Sequence, residues 1–302
     1  MKCPIVLLFE SHKDPYAIKA IKSLLPSLKT NGFKSFATEE FYTKNPEDII
    51  SFYSLSLTMM TLILSKGAAQ PSDPYDEEQT YKEYKNRLLN NKKLYEKTVK
   101  QGFKLVGVDV DEEKYEKLQE SSYSGKLDDS LTKINNILSK AQSKKVFKKN
   151  SDIINTKFKQ EFLEEVDNYF VQNINHPYIT QRNKHFASKI DEICKNDPEA
   201  GIIGLFGWLH AGMTQELINL GYSNYTSIFV HGSTTDAPPY LVLEHHPELL
   251  QEALMNSTMI INANNFKSQT LLNKHIHTQI FNDLSSNFDY QKSLFTNEYN
   301  EL

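Results

Sequence analysis

The sequence predicts an α/β protein: a central, mainly parallel sheet with helices on both faces and a charged helical insertion. Three observations predict it. Apolar runs of strand length recur along the chain, stretches with apolar residues at helical spacing separate them, and Gly or Asn-Gly stops stand where those helices end.

Ile5 to Phe9 is an uninterrupted apolar run, the pattern of a strand buried on both faces. Tyr16 to Leu28 then places Ile18, Ile21, Leu24, Leu25 and Leu28 at helical spacing. Asn31-Gly32 ends that helix as a left-handed cap does, and Phe33 to Thr38 resumes extended character before the pair Glu39-Glu40. This is a βαβ unit, with a crossover long enough for a right-handed parallel connection. Gly102 to Val108 reads as a further strand ending on Asp109. Another runs from Gly201 to Phe206, after a helix bearing Phe186 and Ile190 and a turn at Asn196-Asp197-Pro198. The last is Ser227 to His231, preceded by the helix Met213 to Leu220 and Gly221.

One α/β domain over residues 1–302 is expected, with the helical insertion at about 70–100 and 111–175, where Lys, Glu, Asp and Asn are dense and apolar positions sparse. Those stretches read as exposed helices, either a solvated bundle or a lid. Leu55 to Leu64, the most apolar segment, falls well short of the roughly 20 residues of a membrane span and reads as a buried helix.

Composition excludes several classes. The chain has 302 residues, 39% apolar and 24% charged, with a net charge of -4, values of an ordinary globular protein with no electrostatic footprint for nucleic acid. A small molecule or a peptide is the expected substrate, and no membrane span is expected. Cys3 and Cys194 lie far apart and outside any CxxC spacing, so neither a disulfide nor a thiolate zinc site is expected. The N-terminus lacks a signal-peptide pattern, so a cytoplasmic location is expected, with translocation by a signal-independent route left open.

In a parallel sheet the site lies beyond the carboxyl ends of the strands. Those ends here are Glu10-Ser11-His12, Glu39-Glu40, Asp109, Gly207-Trp208-Leu209-His210 and His231-Gly232. Carboxylates and imidazoles crowded at one edge perturb one another, as functional sites do more often than other surfaces.

These residues, in order, resemble a known motif set: strand-Glu10-Ser11-His12, strand-Thr38-Glu39, Gly107-Val108-Asp109, Arg182-Asn183 on a helix, then Gly207-Trp208-Leu209-His210-Ala211-Gly212. The set resembles that of the erythromycin esterase, ChaN and TraB/Tiki superfamily. Phe9 stands where a glycine often precedes the first Glu of that family. The resemblance implies an α/β fold with a site around Glu10, His12, Glu39, Arg182 and His210. Its members' activities span ester hydrolysis, metal-dependent peptide cleavage and haem or iron handling, so the fold does not choose the reaction.

Chemically, His12 and His210 with Glu10 or Glu39, and Asp109 as a further donor, suit a divalent transition metal that would lower the pKa of a bound water, with a second carboxylate as general base and Arg182 stabilising the oxyanion. A metal-free arrangement uses His12 as general base oriented by Glu39 and His210 as acid. Either way the expectation is a hydrolase of an ester or amide bond. The competing reading is a non-catalytic member that binds haem, iron or a protein partner, or a bacterial effector or toxin domain. His275-Ile276-His277 suggests a helix on which the two rings diverge, and His245-His246 precedes a helix start at Pro247. Trp208 is a candidate pocket wall or core residue.

Overall fold

The computed structural model describes residues 3–10, 16–41, 43, 45–65, 77–122, 126–143, 156–232 and 259–287. His12 and His245-His246 lie outside them. The described chain runs β1 (Ile5–Glu10), α1 (Tyr16–Thr30), β2 (Phe33–Phe41), α2 (Pro46–Ser65), α3 (Glu77–Lys100), β3 (Lys104–Asp109), α4 (Glu112–Ser122), α5 (Lys126–Ser143) and α6 (Lys159–Ile174). It continues with α7 (Pro177–Asn196), β4 (Gly201–Gly207), a 3-10 turn (Trp208–Gly212), α8 (Met213–Asn219), β5 (Tyr225–His231), β6 (Met259–Asn262) and α9 (Gln269–Asn287). The six strands form one parallel sheet in the order β3-β2-β4-β1-β5-β6.

The predicted strands are buried because helices cover both sheet faces. Ile5, Leu7 and Phe9 of β1 face a cluster built with Phe186, Ile190, Met213 and Leu217 from α7 and α8. Val6 and Leu8 face the opposite cluster, with Ile18, Ile21 and Leu25 of α1, Tyr53 of α2 and Tyr95 of α3. This alternation is the two-residue period of a strand buried on both sides. At the end of α1, Gly32 takes φ 85, a conformation costly for any residue with a Cβ, and the chain turns directly into β2.

Strands β2 and β4 are neighbours whose following helices go to opposite faces: Ile49 and Tyr53 of α2 to one, Met213 and Leu217 of α8 to the other. Such a divergence opens a crevice at the carboxyl edge. Two irregularities widen it. The pairing of β2 with β4 ends at Thr38↔Leu205, and the pairing of β2 with β3 shifts between Thr38 and Phe41, a bulge that contains Glu39 and Glu40.

Three expectations need correction. Cys3 and Cys194 form a disulfide with Cα atoms 5.5 Å apart, although 191 positions separate them. Their distance in sequence held no clue, since it is the packing of α7 beside the start of β1 that joins them. Leu55 to Leu64 does lie in a helix, but α2 buries only its Ile49 and Tyr53 side, and Phe52, Leu55, Met59 and Leu62 are 48%, 63%, 54% and 52% exposed. The charged helices keep most of their described residues exposed or half-buried, and apolar residues among them, Leu88, Leu94 and Tyr95 on α3 and Ile134, Phe162 and Val166 on α5 and α6, pack into the two clusters. Finally, β6 was not foreseen, its Met259-Ile260-Ile261 run being short for a strand signal. Among the described residues no helix is long and apolar enough to cross a membrane.

Candidate active site

At the crevice lies a cleft of about 400 Å³. Glu39, Glu40, Arg87, Asp109, Arg182 and His210 supply its polar wall, and Tyr115, Tyr178, Ile179, Trp208 and Leu209 its apolar one.

Arg182 is the hub. It lies on α7, which begins at Pro177 with His176 as N-cap, its ring accepting from the Tyr178 backbone N–H at 3.2 Å. The helical period puts Ile179, Arg182, Asn183, Phe186 and Ile190 on the buried face, so Arg182 projects from the first turns toward the strand ends. Its Nε donates to Asp109 Oδ1 at 3.0 Å, and its Nη2 to Asp109 Oδ2 at 2.5 Å and to Glu39 Oε1 at 2.7 Å. Nη1 donates to the Tyr178 hydroxyl at 3.2 Å and to His210 Nε2 at 3.1 Å. The paired bonds to Asp109 are the two-pronged carboxylate grip for which a guanidinium is shaped. The rings of Tyr115, Tyr178 and Phe186 lie 5.3, 5.0 and 5.4 Å from its central carbon, adding cation–π attraction. Burial alone would pull the guanidinium down, but the hydrogen bonds to Asp109 and the charge of Glu39 more than reverse this and hold its proton above the ordinary arginine value.

His210 follows β4 in the 3-10 turn and is 2% exposed. Its Nδ1 is 2.7 Å from Asn183 Oδ1. A guanidinium has no lone pair, so Nε2 accepts from Arg182, and the proton of the neutral ring is on Nδ1, donated to Asn183. Phe186 fixes the ring plane by an edge contact at 4.9 Å. The turn stays tight because Gly212 has no side chain: a Cβ there would meet Asn183 Nδ2 at 3.1 Å.

Glu39 faces the same side. Its Oε2 accepts the Gly207 backbone N–H at 2.8 Å, at the point where β2 no longer pairs with β4, and its Oε1 lies 3.2 Å from His210 Nε2. Glu40, the next residue, turns to the other face. Its Oε1 accepts from the hydroxyls of Tyr53 on α2 and of Tyr95 on α3, the latter at 3.2 Å. Burial pushes the Glu40 carboxyl up to about 7, with Glu39's charge adding to the rise and the two tyrosine hydrogen bonds opposing it.

Of the residues singled out in the sequence, Glu39, Asp109, Arg182 and His210 meet in one cluster. His12 is outside the described residues. Glu10 closes β1 but shares the parity of Val6 and Leu8, on the side of α1 to α3, where its charge acts on Tyr95, and it does not line the cleft. His231 ends β5 beside Phe229, and burial lowers it to about 4, so its ring is neutral. Trp208 stacks on Phe229 at 6.0 Å and also borders the cleft. His277 contacts Ser27 at 2.8 Å and His275 packs on Phe266, diverging on α9 as their spacing implied. Asn183, Tyr178 and Glu40 were not assigned roles. Tyr178 stands one helical turn before Arg182, which is the signal that could have found it.

His12, one of the metal donors expected from the sequence, lies outside the described residues. Among the described residues no group of three His, Cys, Asp or Glu is arranged to hold a metal ion. Asp109, Glu39 and His210 Nε2 instead converge on the Arg182 guanidinium, which is itself the cation of the site.

No protein-family model and no curated protein matches the sequence. Among solved structures, the chain is similar to an erythromycin esterase, the EreC enzyme as a mutant in its open conformation, at 14% identity and a TM-score of 0.34, over 76% of this chain and 70% of that one. A likeness so distant carries no argument about chemistry.

Proposed function

We propose that the chain hydrolyses an ester or amide bond, with His210 Nε2 as the proton acceptor and Arg182 as the oxyanion donor. The observation that carries this reading is the triangle of His210 Nε2 with Arg182 Nη1 at 3.1 Å and Glu39 Oε1 at 3.2 Å.

Two carboxylates, Glu39 and Asp109, oppose one guanidinium, so the cluster has one negative charge in excess while His210 is neutral. A proton arriving on Nε2 brings it to neutrality, and Glu39 Oε1 is already placed to accept the new N–H. Proton uptake also removes the lone pair to which Arg182 Nη1 donates. That N–H is thereby released at the moment when a carbonyl oxygen in the cleft becomes negative. Attack of a water therefore delivers its proton to Nε2, its oxygen to the carbonyl carbon and the carbonyl electrons to an oxygen that the freed Nη1 can meet. Collapse of the tetrahedral adduct breaks the bond to the leaving group, which departs with a proton. Asn183 holds the imidazole in its tautomer throughout, the orienting role that a third group plays beside a general base.

Turnover of a panel of simple esters and anilides by the purified chain and by Glu39→Gln tests this. Glu39→Gln keeps a hydrogen-bonding side chain but removes the charge that stabilises the imidazolium, so kcat should fall at least about 100-fold. An unchanged kcat in that variant contradicts the assignment.

A further inference from the structure

We infer that Glu40 is the acid that protonates the leaving group, so that the proton gained by His210 and the proton given to the leaving group belong to two different residues on opposite sides of the strand end. The inference rests on the hydrolase reading above and assigns the step that reading leaves open.

The hydrogen-bond polarity around Glu40 carries it. Asn91 Nδ2 donates to the Tyr53 hydroxyl at 3.1 Å, which leaves that hydroxyl's own proton for Glu40 Oε1. Tyr95 also donates to Oε1, so in its 2.6 Å contact with Thr38 it is the Thr38 hydroxyl that donates. The chain of donors runs inward from both ends, Thr38 to Tyr95 to Glu40 and Asn91 to Tyr53 to Glu40. With two donors on Oε1, the acid's proton is borne by Oε2. When that proton leaves, the resulting carboxylate is already solvated by two hydroxyls, and no reorganisation has to precede the transfer.

Glu39, by contrast, is held as an anion by Arg182 and the Gly207 N–H, yet both carboxyls line one cleft. Neighbouring carboxyls in such different settings take different parts, Glu40 that of the acid and Glu39 that of the anion beside the His210 base. The groups that face Glu40 are Tyr53 from α2, Tyr95 and Arg87 from α3, and Glu39 from its own strand. In the step itself the C–O or C–N bond of the adduct breaks, its electron pair goes to the departing atom, and the Glu40 proton moves to that atom. Solvent afterwards returns a proton to Glu40 and removes the one on His210.

The test compares 4-nitrophenyl acetate, whose leaving group needs no acid, with ethyl acetate, whose leaving group does. Glu40→Gln retains an oxygen for both tyrosines. It should lower kcat/KM for ethyl acetate at least about 100-fold and for the nitrophenyl ester less than about 3-fold. Independently of turnover, the infrared carbonyl band of a protonated carboxyl should be present at about pH 6, fade by about pH 8, and be missing in the variant. Equal losses on both esters, or no band that disappears with the substitution, overturn the role of Glu40 and leave His210 and Arg182 untouched. Wild-type turnover of neither ester overturns the acid assignment together with the hydrolase reading.

Discussion

Glu39 and Glu40 are the same residue type at adjacent positions of one strand, and the two sides of β2 treat them oppositely. On the α7 side Glu39 meets a guanidinium and a backbone N–H, both of which favour a carboxylate. On the α2 and α3 side Glu40 meets tyrosine hydroxyls in a buried setting, and burial outweighs them. The difference teaches that protonation at a strand end is set by what the facing helices present, and that the alternation of a strand suffices to turn two adjacent carboxyls to two such environments.

The largest effect that separates the two sides should come from Arg182→Ala. It strands the Asp109 and Glu39 carboxylates without their cation, and removing one partner of a buried charge cluster costs about 3–5 kcal/mol. Chemical denaturation should record that loss. On the other side, Glu40→Gln exchanges one neutral hydrogen-bonding group for another and should cost about 1 kcal/mol or less. Equal losses for the two variants would break the comparison.

A smaller effect is expected in the pH dependence of stability. Glu40 is raised from an ordinary 4.5 to about 7, so the folded chain holds this proton more tightly than the unfolded one. The stabilisation from it is complete below about 4.5 and is lost as pH rises through about 7, after which it stays constant. Thermal melts of the wild-type chain, measured relative to Glu40→Gln, should therefore fall across that interval and run parallel above it. A relative stability that rises with pH there would mean that Glu40 is ionised in the folded state.

Much of this arrangement was legible in the sequence, for identifiable reasons. The apolar runs from Phe33, Gly102 and Gly201 read as strands, and their ends pointed to Glu39, Asp109 and His210, while the same rule at the run from Ile5 pointed to Glu10, which does not line the cleft. Arg182 and Asn183 were visible as a motif, but their bonds were not, since these depend on how α7 crosses β3 and β4. Glu40 was passed over because its partners, Tyr53 and Tyr95, arrive from elements 13 and 55 positions away with no local pattern to announce them. The disulfide was missed for the same reason. The exposed stripe of Phe52, Leu55, Met59 and Leu62 misled in the other direction, since hydrophobicity reports a preference for burial and not whether the fold supplies a partner.

The central claim is that His210 exchanges a proton at Nε2 between Arg182 and Glu39. Measuring the thermal midpoint and ester turnover together on His210→Ala tests it most directly. The account predicts a loss of turnover of at least about 100-fold, with no more than the roughly 1–3 kcal/mol that a buried hydrogen-bonded group contributes to stability. Full turnover accompanied by a lowered midpoint would contradict it and make His210 a structural residue.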